Sequence, residues 1–172
     1  MTLRDYIESL RHKTVAVIGV GVSNTPLLEL LLAEGIRVTA CDKRSREQMG
    51  EQAEHLERLG CELHLGADYL KDLDADVIFR TPGLRPDVPE IAACVDRGAV
   101  LTSEMEVFFE VCPCTIIAVT GSDGKTTTTT IIAELLKAAG KRVWVGGNIG
   151  HPLLCEAGEM AQTDWAVLEL SS

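Results

Sequence analysis

Short apolar runs alternate with longer amphipathic stretches along the whole chain. The run TVAVIG at 14–19 is rich in β-branched residues and ends in glycine, which predicts a buried strand. The leucines of 24–34 have helical spacing, and Pro26 is tolerated in the first turn of a helix. The same reasoning predicts further strands at 36–42, 61–65, 76–83, 99–103, 115–121, 142–147 and 164–170, and further helices at 45–59, 89–98, 104–112 and 125–139.

This alternation predicts an α/β fold in which parallel sheets carry helices on their faces. The pattern restarts after Cys112 and Cys114, so we predict a complete five-strand unit at 1–112 and a second unit at 113–172. The second unit ends directly after a strand, at LELSS, and we expect it to be part of a larger domain. Its helix is expected to carry Ile131, Ile132, Leu135 and Leu136 on one face.

Composition and charge narrow the classes of function. The chain has 172 residues, 46% of them hydrophobic, and 16 basic against 26 acidic residues give a net charge of −10. Such a surface disfavours nucleic-acid partners, although a local site can still hold a small anion. No run approaches the roughly 20 apolar residues of a membrane span, and the N-terminus lacks a signal-peptide core. We therefore expect a cytoplasmic protein with no membrane partner, in which the six cysteines are reduced. Only Cys112 and Cys114 are close in sequence, and a C-x-C pair alone does not make a metal site.

The stretch TGSDGKT at 120–126 has the features of a phosphate-binding loop. A glycine-rich turn between a strand and a helix presents backbone N–H groups and the positive end of the helix dipole. Lys125 adds a full charge for terminal phosphates, and the Thr126 hydroxyl can bind magnesium. Glu169, near the end of an apolar strand, provides the carboxylate that a magnesium–nucleotide site requires. The alternative is a glycine turn that caps a helix beside a surface lysine.

A second glycine cluster, GVGVSN at 19–24, follows the first predicted strand. It has the first two glycines of G-x-G-x-x-G, but Asn24 occupies the third position. Asp42 ends the next strand, where a carboxylate commonly binds a ribose or a base, and Arg44 could face a phosphate or remain solvated. A phosphate-bearing ligand is therefore expected at this unit, with NAD as one alternative.

The motifs TGSDGKTT, GGNIG at 146–150 and LELSS at 168–172, in this order, resemble the Mur ligases of peptidoglycan synthesis. GVGVS, TPG at 81–83 and SEMEVF at 103–108 also lie where that family has them, so the resemblance covers the whole chain. It implies an ATP-dependent amide ligase, in which a nucleotide-linked carboxylate becomes an acyl phosphate that an incoming amine attacks. GVGVS and GGNIG-x-P favour the member that adds D-glutamate to UDP-N-acetylmuramoyl-L-alanine.

The resemblance also implies roles for individual residues. Lys125 would be catalytic, and Thr126 and Glu169 would hold Mg²⁺. ATP would be bound by Gly121, Ser122, Asp123, Gly124, Lys125, Thr126 and Thr127, and the nucleotide-linked substrate by Val22, Ser23, Asp42, Arg44, Gly83 and Asn148. Residues 1–112 would form a Rossmann-like domain that binds the UDP substrate, and 113–172 the start of a P-loop-containing central ATP-binding domain. The D-glutamate site would lie beyond this chain, which alone would bind ligands without completing catalysis.

The sequence departs from the family pattern at two positions, and three alternative functions remain open. Asn24 replaces a glycine that the family usually has, and Asp123 stands where asparagine is frequent. The chain could belong to another Mur-type or folylpolyglutamate-type ligase, or be a non-catalytic nucleotide-binding module. An NAD-dependent oxidoreductase would explain the first glycine cluster but not the phosphate loop. Unpaired sheet edges in a partial domain would also allow self-association.

Overall fold

The computed structural model describes residues 1–81, 83–85, 87–148 and 151–171. Three of the sequence motifs extend beyond these ranges. Pro82 of TPG, Ile149 and Gly150 of GGNIG, and Ser172 of LELSS lie outside the described residues.

The elements follow the predicted alternation. The strands are β1 Val15–Ile18, β2 Val38–Asp42, β3 Glu62–Leu65, β4 Val77–Arg80, β5 Val100–Thr102, β6 Thr115–Val119, β7 Val143–Gly147 and β8 Trp165–Glu169. The helices are α1 Leu3–Ser9, α2 Asn24–Ala33, α3 Arg46–Met49, α4 Glu51–Arg58, α5 Pro89–Asp96, α6 Glu104–Val111 and α7 Lys125–Ala138, with a 3-10 helix at Leu154–Glu159.

The strands form two parallel sheets, which confirms the predicted fold class. The first sheet has five strands in the order β3-β2-β1-β4-β5. The second has three in the order β6-β8-β7, so the last strand of the chain is its centre. The sheets fall on either side of the predicted boundary at 112, while the division into functional domains stays a prediction.

Burial on both faces explains why the central strand β1 is a continuous apolar run. Its four residues are at most 2% exposed. Val15 and Val17 face a core that includes α1, α2 and α6, whereas Ala16 and Ile18 face a second core beneath α5. This is the pattern expected of a parallel strand that is covered by helices on both sides.

Three features differ from the sequence prediction. Helix α1 was not predicted; it begins at a capping box, in which Thr2 and Asp5 satisfy each other's backbone N–H groups. The helix predicted at 45–59 is two helices, because Gly50 has a φ of 53° and ends the first of them. The 3-10 helix was not predicted either, since its sequence LCEAGE has no helical period of apolar residues.

One apolar core joins the two sheets. Leu153 and Leu154 at the start of the 3-10 helix, and Ala166 and Leu168 of β8, lie in the same cluster as Val107 and its neighbours on α6. The 3-10 helix therefore packs against the first unit while it belongs in sequence to the second. Within the described part of the chain, no helix has the length and apolar character needed to cross a bilayer.

A buried hydrogen bond accompanies this packing. The backbone N–H of Leu154 donates to Oε1 of Glu104 at 2.9 Å, across 50 residues of sequence. Glu104 is only 5% exposed, and burial raises the pKa of its carboxyl group, an effect that the Leu154 hydrogen bond opposes. The first turn of α6 thus fixes the start of the 3-10 helix.

We expect Glu104→Ala to lower the free energy of unfolding by about 1–3 kcal/mol, because the buried Leu154 N–H loses its acceptor. Glu104→Gln keeps an acceptor oxygen and should be at least as stable as the wild type near neutral pH. A raised pKa in the folded state means that stability falls as pH rises above the ordinary glutamate range, and Glu104→Gln should remove that dependence.

Urea unfolding across pH 4–8 would check this. Glu106→Ala, an exposed change in the same helical turn, is the control and should stay within about 0.5 kcal/mol of the wild type. Equal losses in Glu104→Ala and Glu104→Gln would show that the hydrogen bond is not the cause.

Candidate functional site

The predicted phosphate loop lies between β6 and α7, as the sequence indicated. Gly124 precedes the first residue of α7 with a φ of 73°, a left-handed conformation that favours glycine. Nζ of Lys125 donates to the carbonyl oxygens of Gly121 at 2.7 Å and Ser122 at 3.3 Å. The lysine therefore lies over its own loop, next to the N–H groups at the helix start, where an anion would be bound.

Thr126 and Glu169 meet beside this loop. The Thr126 hydroxyl donates to Oε2 of Glu169 at 2.7 Å. Glu169 is the last residue of the central strand β8 and is 6% exposed. A hydroxyl and a carboxylate oxygen at one position are ligands that suit a hard cation such as Mg²⁺, so the predicted metal pair fits the geometry.

The other predicted phosphate-binding residues are exposed. Ser122, Asp123 and Thr127 lie at the surface of the loop and of the first turn of α7. Among the described residues, no group of three or more His, Cys, Asp and Glu side chains is placed to hold a metal. Cys112 and Cys114 approach each other with a sulfur–sulfur distance of 3.4 Å, and their thiols are free.

The buried face of α7 is not the one that the sequence predicted. Ile131 and Leu135 are 54% and 66% exposed, whereas Thr129 and Ala133 are buried. Thr129 packs with a hydroxyl that has no hydrogen-bond partner in the described part of the chain. The threonine run therefore supplies both the hydroxyl of the predicted metal site and a small residue against the sheet, and the prediction of one apolar face through Ile131 and Leu135 was wrong.

The paired glycines after β7 are required by close packing. Gly147 has a φ of 96°, and a Cβ there would overlap the carbonyl oxygen of Glu169. A Cβ on Gly146 would lie 2.5 Å from Cγ of Leu153. The N–H of Asn148 donates to the Glu169 carbonyl at 2.8 Å, so Asn148 is fixed directly beside the metal pair.

Asp42 is the centre of a hydrogen-bonded cluster at the end of β2. Its carboxylate accepts from the N–H of Val20 at 2.8 Å, and from the backbone N–H, Nε and Nη2 of Arg44 at 2.9, 3.0 and 2.9 Å. Burial alone would raise the pKa of Asp42, but the hydrogen bonds from Arg44 and Val20 outweigh it and the pKa is lowered.

The Arg44 guanidinium uses three of its five N–H donors within the protein, and among the described residues Nη1 has no partner. Besides the two bonds to Asp42, Nη2 donates to the carbonyl oxygen of Val20 at 2.7 Å. The guanidinium thus ties the end of β2 to the first glycine loop. The expectation that Arg44 faces a phosphate stays a prediction.

Asn24 has a structural role at the position where the fingerprint has glycine. The side chain is 2% exposed, and Nδ2 donates to the carbonyl oxygens of Ile18 at 3.2 Å and Gly19 at 2.9 Å. The asparagine amide therefore satisfies the backbone at the end of β1, which explains how a larger residue is accommodated there.

Two cavities divide the predicted substrate-binding residues. Asp42 and Gly83 line one of about 340 Å³, together with Lys43, Tyr69 and Thr81. The second, of about 390 Å³, lies between the two sheets and is lined by Ser23, Asn24, Arg80, Ser103, Glu104, Gly147, Asn148 and Ser171, among others. Val22 is 80% exposed and lines neither. Sequence reasoning missed Arg80, although a charged residue at the end of an apolar strand was the available signal.

Comparison with known sequences supports one family. A profile described as Mur ligase MurD-like, N-terminal domain, matches residues 13–103, which is more than half of the chain. The chain belongs to the Mur ligase family. A second profile of these ligases, the Mur ligase middle domain, matches residues 119–172.

Individual Mur ligases are also similar to this chain over nearly its whole length. The UDP-N-acetylmuramoylalanine–D-glutamate ligase of Ruminiclostridium cellulolyticum is 50% identical over 99% of this chain and 37% of its own length. The ligase of the same name from Clostridium botulinum strain Hall is 51% identical over 95% of this chain and 36% of its own length. The chain thus spans little more than a third of these relatives.

A solved Mur ligase shares the fold. The crystal structure of UDP-N-acetylmuramate–alanine ligase MurC from Thermotoga maritima covers 93% of this chain and 37% of its own, with a TM-score of 0.50 and 24% identity. At this identity the likeness concerns the fold alone.

We expect Gly147→Ala to be much more destabilising than Gly35→Ala. Both glycines have positive φ, but a Cβ on Gly35 has no atom within 4 Å, whereas one on Gly147 overlaps backbone. Gly35→Ala should cost about 1–2 kcal/mol of left-handed strain, and Gly147→Ala more than about 3 kcal/mol. Urea unfolding would check this, and equal costs would contradict the role assigned to the Glu169 carbonyl.

We expect Asp42→Asn to lower stability by about 1.5–3 kcal/mol at pH 7, because charge-assisted hydrogen bonds are lost. A lowered pKa in the folded state means that this stabilisation is present above the ordinary aspartate pKa and is lost as pH falls through the folded value. Thermal unfolding of the variant and the wild type should therefore converge in acid. Asp87→Asn, at an exposed ion pair with Arg85, is the control and should cost under about 1 kcal/mol; no convergence would contradict the assignment.

Proposed function

We propose that this chain carries the nucleotide-substrate-binding and ATP-binding parts of a ligase that adds D-glutamate to UDP-N-acetylmuramoyl-L-alanine in peptidoglycan synthesis. The single observation that carries the proposal is the phosphate loop with Lys125, in contact with the Thr126–Glu169 pair and next to a cleft shared by both sheets. The choice of D-glutamate rests on the name of relatives about half identical to this chain.

ATP would be bound by the loop from Gly121 to Thr127. Lys125 would exchange the carbonyl oxygens of Gly121 and Ser122 for phosphate oxygens. Its side chain is flexible, and the exchange would break no ion pair because both present acceptors are neutral. The N–H groups at the start of α7 would complete the site. The substrate carboxylate would then be activated by phosphorylation before the amine attacks, a reaction in which positioning and charge neutralisation are the main contributions of the protein.

Mg²⁺ would be held by Thr126 and Glu169. Ligases of this family are ATP-dependent and generally use Mg²⁺. When bound, the ion would neutralise phosphate charge. The residues of this chain contribute a hydroxyl and a carboxylate oxygen already 2.7 Å apart, which supports the pairing.

The nucleotide-linked substrate would lie along the carboxyl ends of the first sheet. Asp42 and Gly83 would contact it in one cavity, and Ser23 and Asn148 in the cleft between the sheets, with Val22 and Arg44 at the margin. Ligands of open parallel sheets bind at this edge. The expected cytoplasmic location belongs to the same proposal.

We expect Lys125→Ala to weaken binding of ATP with Mg²⁺ by at least about tenfold, since a charge-assisted contact worth about 1.5–3 kcal/mol is lost. Binding of UDP-N-acetylmuramoyl-L-alanine should change by less than about twofold. Lys137→Ala, on the same helix and at an exposed pair with Glu134, is the control. Isothermal titration calorimetry of each variant would measure both ligands.

Titration with NAD separates the proposal from the oxidoreductase alternative. UDP should bind more tightly than NAD, and in the protein encoded by the full reading frame Lys125→Ala should abolish D-glutamate-dependent ADP release. Tighter binding of NAD, or normal ADP release by the variant, would contradict the proposal.

A further inference from the structure

Arg80 occupies the point of the first sheet where ligands of this architecture bind. It is the last residue of β4 and pairs in register with Ile18, the last residue of β1. The strand order reverses between these two strands, because β2 lies on the other side of β1. Crevices at such a switch point, outside the carboxyl ends of the strands, are the usual ligand sites of open α/β sheets.

The guanidinium of Arg80 makes few hydrogen bonds with the described residues of the protein. It is half-buried, and Nη1 donates to the carbonyl oxygen of Leu84 at 3.2 Å. Among the described residues, no carboxylate lies within ion-pair distance of it, although the chain carries 26 acidic residues. A guanidinium has five N–H donors, and a partly desolvated cation with free donors is stabilised by an anionic ligand.

The surroundings of Arg80 are polar on several sides. The cleft is also lined by Ser23 and Asn24 of the first unit and by Asn148 and Ser171 of the second. Arg80 is its one cationic lining residue within the described parts of the chain. Hydroxyl and amide groups around an arginine form a set of donors that suits phosphate or carboxylate oxygens.

The carboxylates that line the cleft oppose the binding of an anionic ligand. Glu104 and Glu106 also line it, on α6. Glu104 is occupied by the Leu154 N–H, and Glu106 is exposed. An anionic ligand in this cleft would meet repulsion from α6 unless a positive charge faced it, and Arg80 provides that charge.

The comparison with Arg44 favours the same conclusion. Arg44 already forms an ion pair with Asp42, whereas among the described residues Arg80 donates only to one backbone carbonyl. We propose that Arg80 binds the anionic group of the nucleotide-linked substrate, either its diphosphate or its terminal carboxylate. This inference rests on the proposed function and adds a binding residue to it.

Calorimetry on Arg80→Gln with three ligands tests the inference. UDP, UDP-N-acetylmuramoyl-L-alanine and uridine separate the two anionic groups. If Arg80→Gln lowers the affinity for UDP and for the full substrate equally, by about tenfold to hundredfold, Arg80 contacts the diphosphate. If only the affinity for the full substrate falls, Arg80 contacts the carboxylate. The affinity for uridine should change by less than about twofold in either case.

Arg97→Gln is the control, because Arg97 also donates to a backbone carbonyl, that of Leu73 at 3.2 Å, but lies outside both cavities. Unlike Arg80, Arg97 also forms an exposed ion pair, with Asp74 at 3.4 Å. Unchanged affinities in Arg80→Gln, or equal losses in both variants, would overturn the inference. A wild-type chain that binds no uridine nucleotide would overturn the proposed function as well, which distinguishes the two failures.

Chemical protection of the wild-type chain gives a second measurement that does not depend on a variant. Phenylglyoxal modification, mapped by mass spectrometry, should be slowed at Arg80 by UDP or by the full substrate and unchanged at Arg97. Equal modification of Arg80 with and without both ligands would contradict direct contact.

Discussion

The end of β8 fixes the geometry of the second unit through a single residue. The Glu169 side chain accepts from the Thr126 hydroxyl, so it sets the distance from the central strand to the start of α7. Its backbone carbonyl accepts from the Asn148 N–H and leaves no room for a Cβ on Gly147. The side chain of Glu169 thus positions the loop that would bind phosphate, and its backbone carbonyl positions the loop that would reach the substrate. A shift of Glu169 would move both sites together.

Packing beyond Asn148 then relates this unit to the first. Leu153 lies against Gly146, and Leu154 donates its N–H to the buried Glu104 of α6. Apolar residues of the 3-10 helix complete a core that contains residues of both sheets. Because close-packed interiors resist deformation, this contact holds the carboxyl edges of the two sheets around one cleft. The proposed reaction, which joins a nucleotide-linked carboxylate to an amine, would need its two binding regions held in such a relation.

The sequence predicted those parts of the fold that depend on local pattern. Apolar β-branched runs such as β1 are recognisable because burial on both faces requires them, and the turn before Lys125 is recognisable because its backbone conformation requires glycine. Features that depend on tertiary contacts were missed. Ile131 and Leu135 have helical spacing yet face outward, since the sheet contacts Thr129 and Ala133 instead. Arg44 follows a fingerprint aspartate, and only the folded chain shows that three of its five guanidinium donors are engaged by Asp42 and Val20.

The three cations near the candidate sites differ in what a ligand must displace. Lys125 is bonded to two carbonyl oxygens of its own loop, and a hydrogen bond from such a charged donor is worth about 1.5–3 kcal/mol, which phosphate oxygens would replace. Arg80 gives up at most one carbonyl, that of Leu84. Arg44 keeps the two N–H donors of Nη1, but its charge is already paired with Asp42. In a protein of net charge −10, an anionic ligand would therefore meet a cation without a carboxylate partner among the described residues at Lys125 and Arg80, while the Asp42–Arg44 pair supports the first glycine loop.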